Sequence, residues 1–301
     1  MPQRLWLGIA IFILVIAISL FALIALLTGP APTTVSALTV DLSVESLAIP
    51  TSGSTVTRGW LNLGKPGKGV ILLAHSMRSN RVEMLSRARF LGEQGYTTLM
   101  IDLYAHGETP GDKITFGLRE SENISAAAKY LREKFPHERI GALGASLGGA
   151  AIVLAKLNKP FDAVILESVH GTLEEAINNR LKLYLGDYGS LLLPIVLFQF
   201  SFFIDTLISE LNPISQIASL NAPVLFISGT HDAHTTQSEV ERMYATAVKP
   251  KELWIVPGAQ HFNMHSYAGK SYEERVIDFF GFYLKNDNDL EETDSYDLRI
   301  N

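Results

Sequence analysis

From Leu5 to Leu27 the chain reads LWLGIAIFILVIAISLFALIALL, twenty-three residues without a charge. At 1.5 Å per residue such a helix crosses a bilayer core of roughly 30 Å. A buried core helix needs a polar face, and a cleavable signal peptide has an apolar run of only about 7 to 15 residues. The pattern therefore predicts a retained transmembrane helix over residues 1–28, although Val35-Ser36-Ala37 has the small side chains of a cleavage site. Arg4 precedes the run and no further Lys or Arg occurs until Arg58. By the positive-inside rule the amino terminus is cytoplasmic, so a single-pass protein with the remainder outside, periplasmic or extracellular, is expected.

After a Pro/Thr-rich linker over residues 29–37, strand-like and helix-like patterns alternate at short spacing. Alternating positions in Thr39–Ile49 and Val56–Leu63 predict an antiparallel pair. Gly69–Ala74, Tyr96–Leu103, Arg139–Gly144, Phe161–Leu166, Pro223–Ser228 and Glu252–Val256 are near-continuous apolar runs, the signature of strands buried on both faces. Between them, Arg81–Gln94, Leu118–Phe135, Leu147–Leu157 and Tyr272–Lys285 carry helical patterning. This order predicts one α/β domain over residues 38–285 with a mostly parallel central sheet and helices on both faces.

Composition narrows the function. The 301 residues hold 25 basic and 31 acidic side chains, a net charge of −6, which gives no electrostatic basis for nucleic-acid binding. The excess is local, since residues 286–301 contain six acids and one base and predict a solvated, disordered tail. With no cysteine in the chain, disulfides, thiolate metal sites and cysteine nucleophiles are excluded.

The chemistry concentrates in Gly144-Ala145-Ser146-Leu147-Gly148, which places a serine at a strand-to-helix junction. Glycines at the outer positions allow a turn tight enough to hold the hydroxyl above the sheet at a helix amino terminus. Downstream, PVLFIS leads into Gly229-Thr230-His231-Asp232, and ELWIV into Pro257-Gly258-Ala259-Gln260-His261. A serine followed by a strand-end acid and then a histidine in this order resembles the α/β-hydrolase fold family over roughly residues 55–285. Gly107 in Asp102-Leu103-Tyr104-Ala105-His106-Gly107-Glu108 and the segment Thr115-Phe116-Gly117-Leu118-Arg119-Glu120 resemble its branch with serine aminopeptidase-like, acyltransferase-like and esterase-like members.

The resemblance implies an α/β-hydrolase fold and a triad in which His261 takes the Ser146 proton while Asp232 orients the imidazole. His265, His231 and His234 are alternatives for the base, and Asp205 and Asp102 for the acid. His261 alone lies in a Gly-x-x-His turn directly after a strand. The backbone amides of Leu147 and Met77 are the implied oxyanion donors. In His75-Ser76-Met77, Ser76 stands where the family shows glycine, so a glycine-only backbone there would distort the hole. His75 and His106 are expected to be structural, and Arg78 and Arg81 solvated. His231, Asp232 and His234 lack the further spaced ligands of a metal site.

Between Glu167 and Pro223 lies a second apolar stretch, Leu191–Ile208. A membrane crossing there would leave Ser146 on one side of the bilayer and Asp232 with His261 on the other. Residues 171–212 are accordingly read as a helical cap, packed on the core or touching acyl chains or the membrane surface. The expected function is a membrane-anchored serine hydrolase acting on a carboxylic ester, thioester or amide, with a small-molecule or lipid-like acyl substrate. Two other readings remain, a serine peptidase using acids such as Glu174 or Glu175, and a catalytically silent binding protein. No cofactor is implied, because the triad activates its own nucleophile and no phosphate-cradling loop is present.

Overall fold

The structure, a computed structural model, describes residues 2–35, 42–51, 55–204, 206–261 and 263–285. The candidate cleavage site beyond Val35, Asp205 and the acidic tail lie outside the described residues. In chain order the elements are α1 (Pro2–Thr28), β1 (Ala31–Pro32), β2 (Glu45–Pro50), β3 (Val56–Asn62), β4 (Val70–Ala74), α2 (Leu85–Glu93), β5 (Thr97–Ile101), β6 (His106–Gly107), α3 (Glu120–Lys134) and β7 (Ile140–Ala145). There follow α4 (Leu147–Leu154), β8 (Ala163–Glu167), α5 (Leu173–Leu185), α6 (Leu193–Phe200), α7 (Pro213–Gln216), β9 (Val224–Gly229), α8 (Gln237–Thr246), β10 (Lys251–Val256), α9 (Met264–Ala268) and α10 (Lys270–Tyr283).

Eight strands form one sheet in the order β10-β9-β8-β7-β4-β5-β3-β2. Only β3 runs antiparallel to its neighbours β2 and β5. The alternation along β4 explains how the sheet is sandwiched. Val70, Leu72 and Ala74 join one apolar cluster with α3, α4 and α8, whereas Ile71 and Leu73 join another with α2 and α10. All five are fully buried, as a strand covered on both faces requires.

Several element ends differ from the sequence pattern. The predicted helix from Arg81 begins as a 3₁₀ turn over Arg81–Met84, capped by the Asn80 side chain, before α2 proper. The short β1–β6 pairing, α8 and α9 were not anticipated, because two-residue strands and one- to three-turn helices give little periodicity to read. Helix α1 is the one described helix long and apolar enough to cross a membrane, and its most apolar stretch is only 6% buried.

The carboxyl end of α1 is fixed to the globular body. Thr28 O accepts from Ile114 N at 2.7 Å, and Ala31 and Pro32 pair in register with His106 and Gly107. The Arg78 guanidinium donates to the Leu26 and Gly29 carbonyls at 3.0 and 3.2 Å. Arg78 thus clamps the helix end while itself remaining exposed to solvent. Arg81, by contrast, is not solvated. It is buried, stacks 4.4 Å from the Trp60 ring and is ion-paired to Asp102 and Glu108.

Candidate active site

Ser146 sits between β7 and α4 with φ 47° and ψ −108°, a conformation that non-glycine residues rarely adopt. Holding it there costs about 1–3 kcal/mol, which the surrounding packing must supply. The turn is closed by Ser146 N donating to Glu167 O at 2.8 Å. It also demands the flanking glycines, since a Cβ on Gly144 would lie 2.5 Å from Gly149 N and one on Gly148 only 2.3 Å from Ala74 O.

Two interlocked loops bring the acid and base together. After β9, Thr230 N donates to Val256 O and His231 N to Ala259 O, at 3.1 and 2.9 Å. Gly258 N donates back to Thr230 Oγ1 at 2.8 Å. The approach is close enough that a Cβ on Gly229 would stand 2.1 Å from Ala259 O. These contacts set His261 against Asp232, with Nδ1 2.9 Å from Oδ2 and 3.1 Å from Oδ1, and Nε2 3.2 Å from Ser146 Oγ.

The Asp232 side chain also accepts from the His234 and Thr235 amides at 3.0 and 2.8 Å. Burial pushes its pKa up, but the hydrogen bond and charge of His261, with the Thr235 amide, more than reverse this and leave it below the usual carboxylate value. It is therefore ionised at neutral pH.

The rival residues are placed elsewhere. His265 pairs with Glu273 at 2.8 Å, Asp102 is paired with buried Arg81, and His231 is exposed. His234 is half-buried, with its ring 5.0 Å from that of His261, so it is a neighbour of the base rather than a loop-surface residue. His75 accepts from Leu103 N through Nε2 and faces Ser76 O through Nδ1. His106 faces Tyr104 O, and burial followed by the charge of His75 lowers it to about 4, keeping it neutral. No group of acids and histidines fit to hold a metal ion occurs among the described residues.

Beside Ser146 lies a cavity of about 260 Å³ lined by Ser76, Ser79, Glu83, Ser146, His261 and Asn263 among others. Ser76 does not take a positive φ; the left-handed residue of this loop is Arg78, at φ 57°. No glycine-only conformation is imposed on Ser76. Its amide and hydroxyl both donate to the Glu83 carboxylate, at 3.1 and 2.7 Å. Glu83 is a functional neighbour that the sequence pattern did not signal. Among the described residues neither the Met77 nor the Leu147 amide donates to a protein acceptor, which leaves both available.

Strand order, the strained serine between β7 and α4, and the loops after β9 and β10 define an α/β-hydrolase fold. The chain belongs to the dienelactone hydrolase family, whose model matches residues 62–282, and is thereby a member of a hydrolase family. It is 26% identical over 226 residues to the uncharacterized protein YqkD of Bacillus subtilis, covering 74% of this chain and 73% of that one. Pyrococcus furiosus esterase Pf2001 shares the fold at a TM-score of 0.70 and 21% identity, over 85% of this chain and 98% of the esterase. A dienelactone hydrolase from Anabaena variabilis does so at 0.58 and 20% identity, over 80% and 99%.

Proposed function

We propose that the protein is a membrane-anchored serine hydrolase that cleaves a carboxylic ester, thioester or amide through an acyl-enzyme on Ser146. The observation that carries this reading is the continuous hydrogen-bonded chain from Ser146 Oγ through His261 to Asp232, with the serine held in a strained turn. Ser146 Oγ attacks the substrate carbonyl carbon while His261 Nε2 takes the hydroxyl proton. The resulting oxyanion is met by the Leu147 and Met77 amides. When the tetrahedral species collapses, the bond to the leaving group breaks and His261 returns the proton to it. Water then attacks the acyl-enzyme, with His261 again as base, releasing the acid and restoring the serine. Asp232, ionised throughout, holds the imidazole by Nδ1 and stabilises its charged form.

Helix α1 is the anchor, with the amino terminus in the cytoplasm and the hydrolase domain outside. The favoured substrate has an apolar acyl group, because the segment between β8 and β9 is rich in Leu and Phe. A peptidase reading finds no support in the acids of α5, since Glu175 is ion-paired with Arg242 and Glu174 is exposed.

The test is labelling of the full chain in detergent with a fluorophosphonate, followed by mapping of the modified peptide. Labelling at Ser146 that disappears in Ser146→Ala is expected, together with loss of ester turnover while thermal unfolding is unchanged. Near-normal turnover in Ser146→Ala overturns the mechanism. An inert but folded wild-type protein favours a binding role.

A further inference from the structure

The way α1 meets the rest of the chain fixes how deeply the molecule sits. One stripe of α1, Ile16, Ala17, Leu20, Ile24 and Thr28, is covered by the globular body, whereas Gln3 to Val15 are exposed. Those thirteen free residues extend only about 20 Å, against a hydrocarbon core of roughly 30 Å. A span of about 20 residues beginning at Leu5 reaches Ile24. The contacts along the stripe therefore fall within the depth of the hydrocarbon and not above it.

What α1 touches there is α6 and the turn after it. Gln199 Nε2 donates to Ala17 O at 3.0 Å, and the Phe21 and Phe203 rings are 4.7 Å apart. Ile24 is buried in a cluster with Val196, Phe200 and Ile204. The carboxyl end of α1 is also held by Arg78, Ile114 and the β1–β6 pairing.

The composition of this segment fits the same depth. From Tyr188 to Ile204 there is no charged residue. While α6 turns Val196 and Phe200 inward, it leaves Ile195 and Phe198 exposed on its other side, with Phe202 just beyond. An apolar surface on both sides of a helix suits lipid and not water. Two of the hydroxyls carried along are internally bonded, as hydrocarbon requires, while Ser190 Oγ and Gln199 Oε1 are buried without a partner among the described residues. Ser201 Oγ donates to Phe198 O at 2.6 Å and Thr28 Oγ1 to Ile24 O at 2.8 Å. Charge returns at Lys182 and Asp187, beside Tyr184 and Tyr188, which are 74% and 82% exposed; tyrosine at the edge of an apolar zone is the composition of a membrane–water interface.

We infer that α6 and its flanking turns are embedded in the outer leaflet alongside α1, so that the hydrolase domain is part-sunk in the bilayer instead of tethered above it. The inference rests on the reading of α1 as a membrane anchor.

The chain has no cysteine, so single labelling sites can be introduced without background. The environment-sensitive fluorophore NBD is placed at Phe198→Cys in the cap, Leu14→Cys in α1 and Phe282→Cys on the solvent-facing side of α10, each in the full chain. The proteins are reconstituted into phosphatidylcholine vesicles with and without acyl-chain spin-labelled lipid. Expected are a blue-shifted emission and strong quenching at both Leu14→Cys and Phe198→Cys, and neither at Phe282→Cys. Quenching at Leu14→Cys without quenching at Phe198→Cys overturns the inference and leaves the anchor standing. Absence of quenching at both sites overturns the anchor reading itself. Ile195→Cys, on the same exposed side of α6, provides a second cap site should Phe198→Cys fold poorly.

Discussion

At Ser76 the chain carries a side chain where the fold's relatives are expected to have none, and Glu83 explains how it is accommodated. The carboxylate takes both the amide and the hydroxyl of Ser76, which orients the peptide leading to Met77. Ser76→Gly removes one of the two hydrogen bonds, a loss of about 1 kcal/mol, and is expected to leave turnover within about fivefold of wild type. Glu83→Ala releases both and frees the loop carrying Met77, the proposed oxyanion donor. Its kcat is expected to fall toward the roughly 100-fold loss that follows removal of such a donor, with KM little changed. Steady-state kinetics on a soluble ester separate the two variants. Equal activity of Glu83→Ala and wild type would show that Glu83 does not position the Met77 amide. Ser146, Asp232 and His261 were legible because each follows a strand in a short, glycine-bearing turn. Glu83 was not, because its role comes from a 3₁₀ turn folding back on the β4 loop, and nothing in the local spacing records that contact. Arg81 was misread for the same reason, its partners Asp102 and Glu108 lying further along the chain.

Among the elements, β8 carries the most demanding polar arrangement. Glu167 at its end is buried with Arg87 from α2 and Tyr272 from α10, with Arg87 Nε 3.1 Å from Glu167 Oε1 and 3.0 Å from the Tyr272 hydroxyl. The Glu167 carbonyl also closes the turn at Ser146, so this network supports the element on which Ser146, the proposed nucleophile, rests. Breaking a buried ion pair from one side leaves an uncompensated charge, and Arg87→Met is expected to cost about 3–5 kcal/mol in chemical denaturation. Double replacement with Glu167→Gln should recover part of that loss. Just beyond β8, burial, and after it the charges of Arg180 and His261, hold His170 down to about 3 from an ordinary 6.5. The unfolded chain takes up this proton below about pH 6.5 while the folded chain does not, so stability falls as the pH drops from there toward 3. By about pH 5 this residue alone accounts for a loss of about 2 kcal/mol. His170→Asn is expected to flatten that part of the pH–stability curve in urea titrations. The sheet itself was readable because strands buried on both faces leave uninterrupted apolar runs. The segment between β8 and β9 was read as a helical cap, but its composition does not separate a cap packed on protein from one facing lipid.

On the scale of the whole molecule, the depth of the domain decides from which phase a substrate arrives. If α6 lies in the outer leaflet, an ester dissolved in the bilayer reaches the cap without first crossing water, and a soluble ester reaches the same triad from the aqueous side. The two routes are separable by a charge placed on the lipid-facing surface. Phe198 is 67% exposed and has its ring 5.3 Å from that of Phe202, away from the triad. Phe198→Asp puts a carboxylate where hydrocarbon is expected, at a cost of up to about 2.5–3.5 kcal/mol near the bilayer centre. Helix α1 keeps the variant in the membrane, so the cost is relieved by the cap rising toward water. Turnover of a long-chain ester embedded in vesicles is then expected to drop by about tenfold or more, since each 1.4 kcal/mol lost from productive docking is a factor of ten. Turnover of a short, water-soluble ester should be unchanged, because Ser146, His261 and Asp232 keep their contacts. Equal retention of both activities would mean that the pocket is served from water and that the apolar cap surface takes no part in substrate delivery. Loss of both would place Phe198 in the folding of the domain, which thermal unfolding of the variant in detergent would register independently.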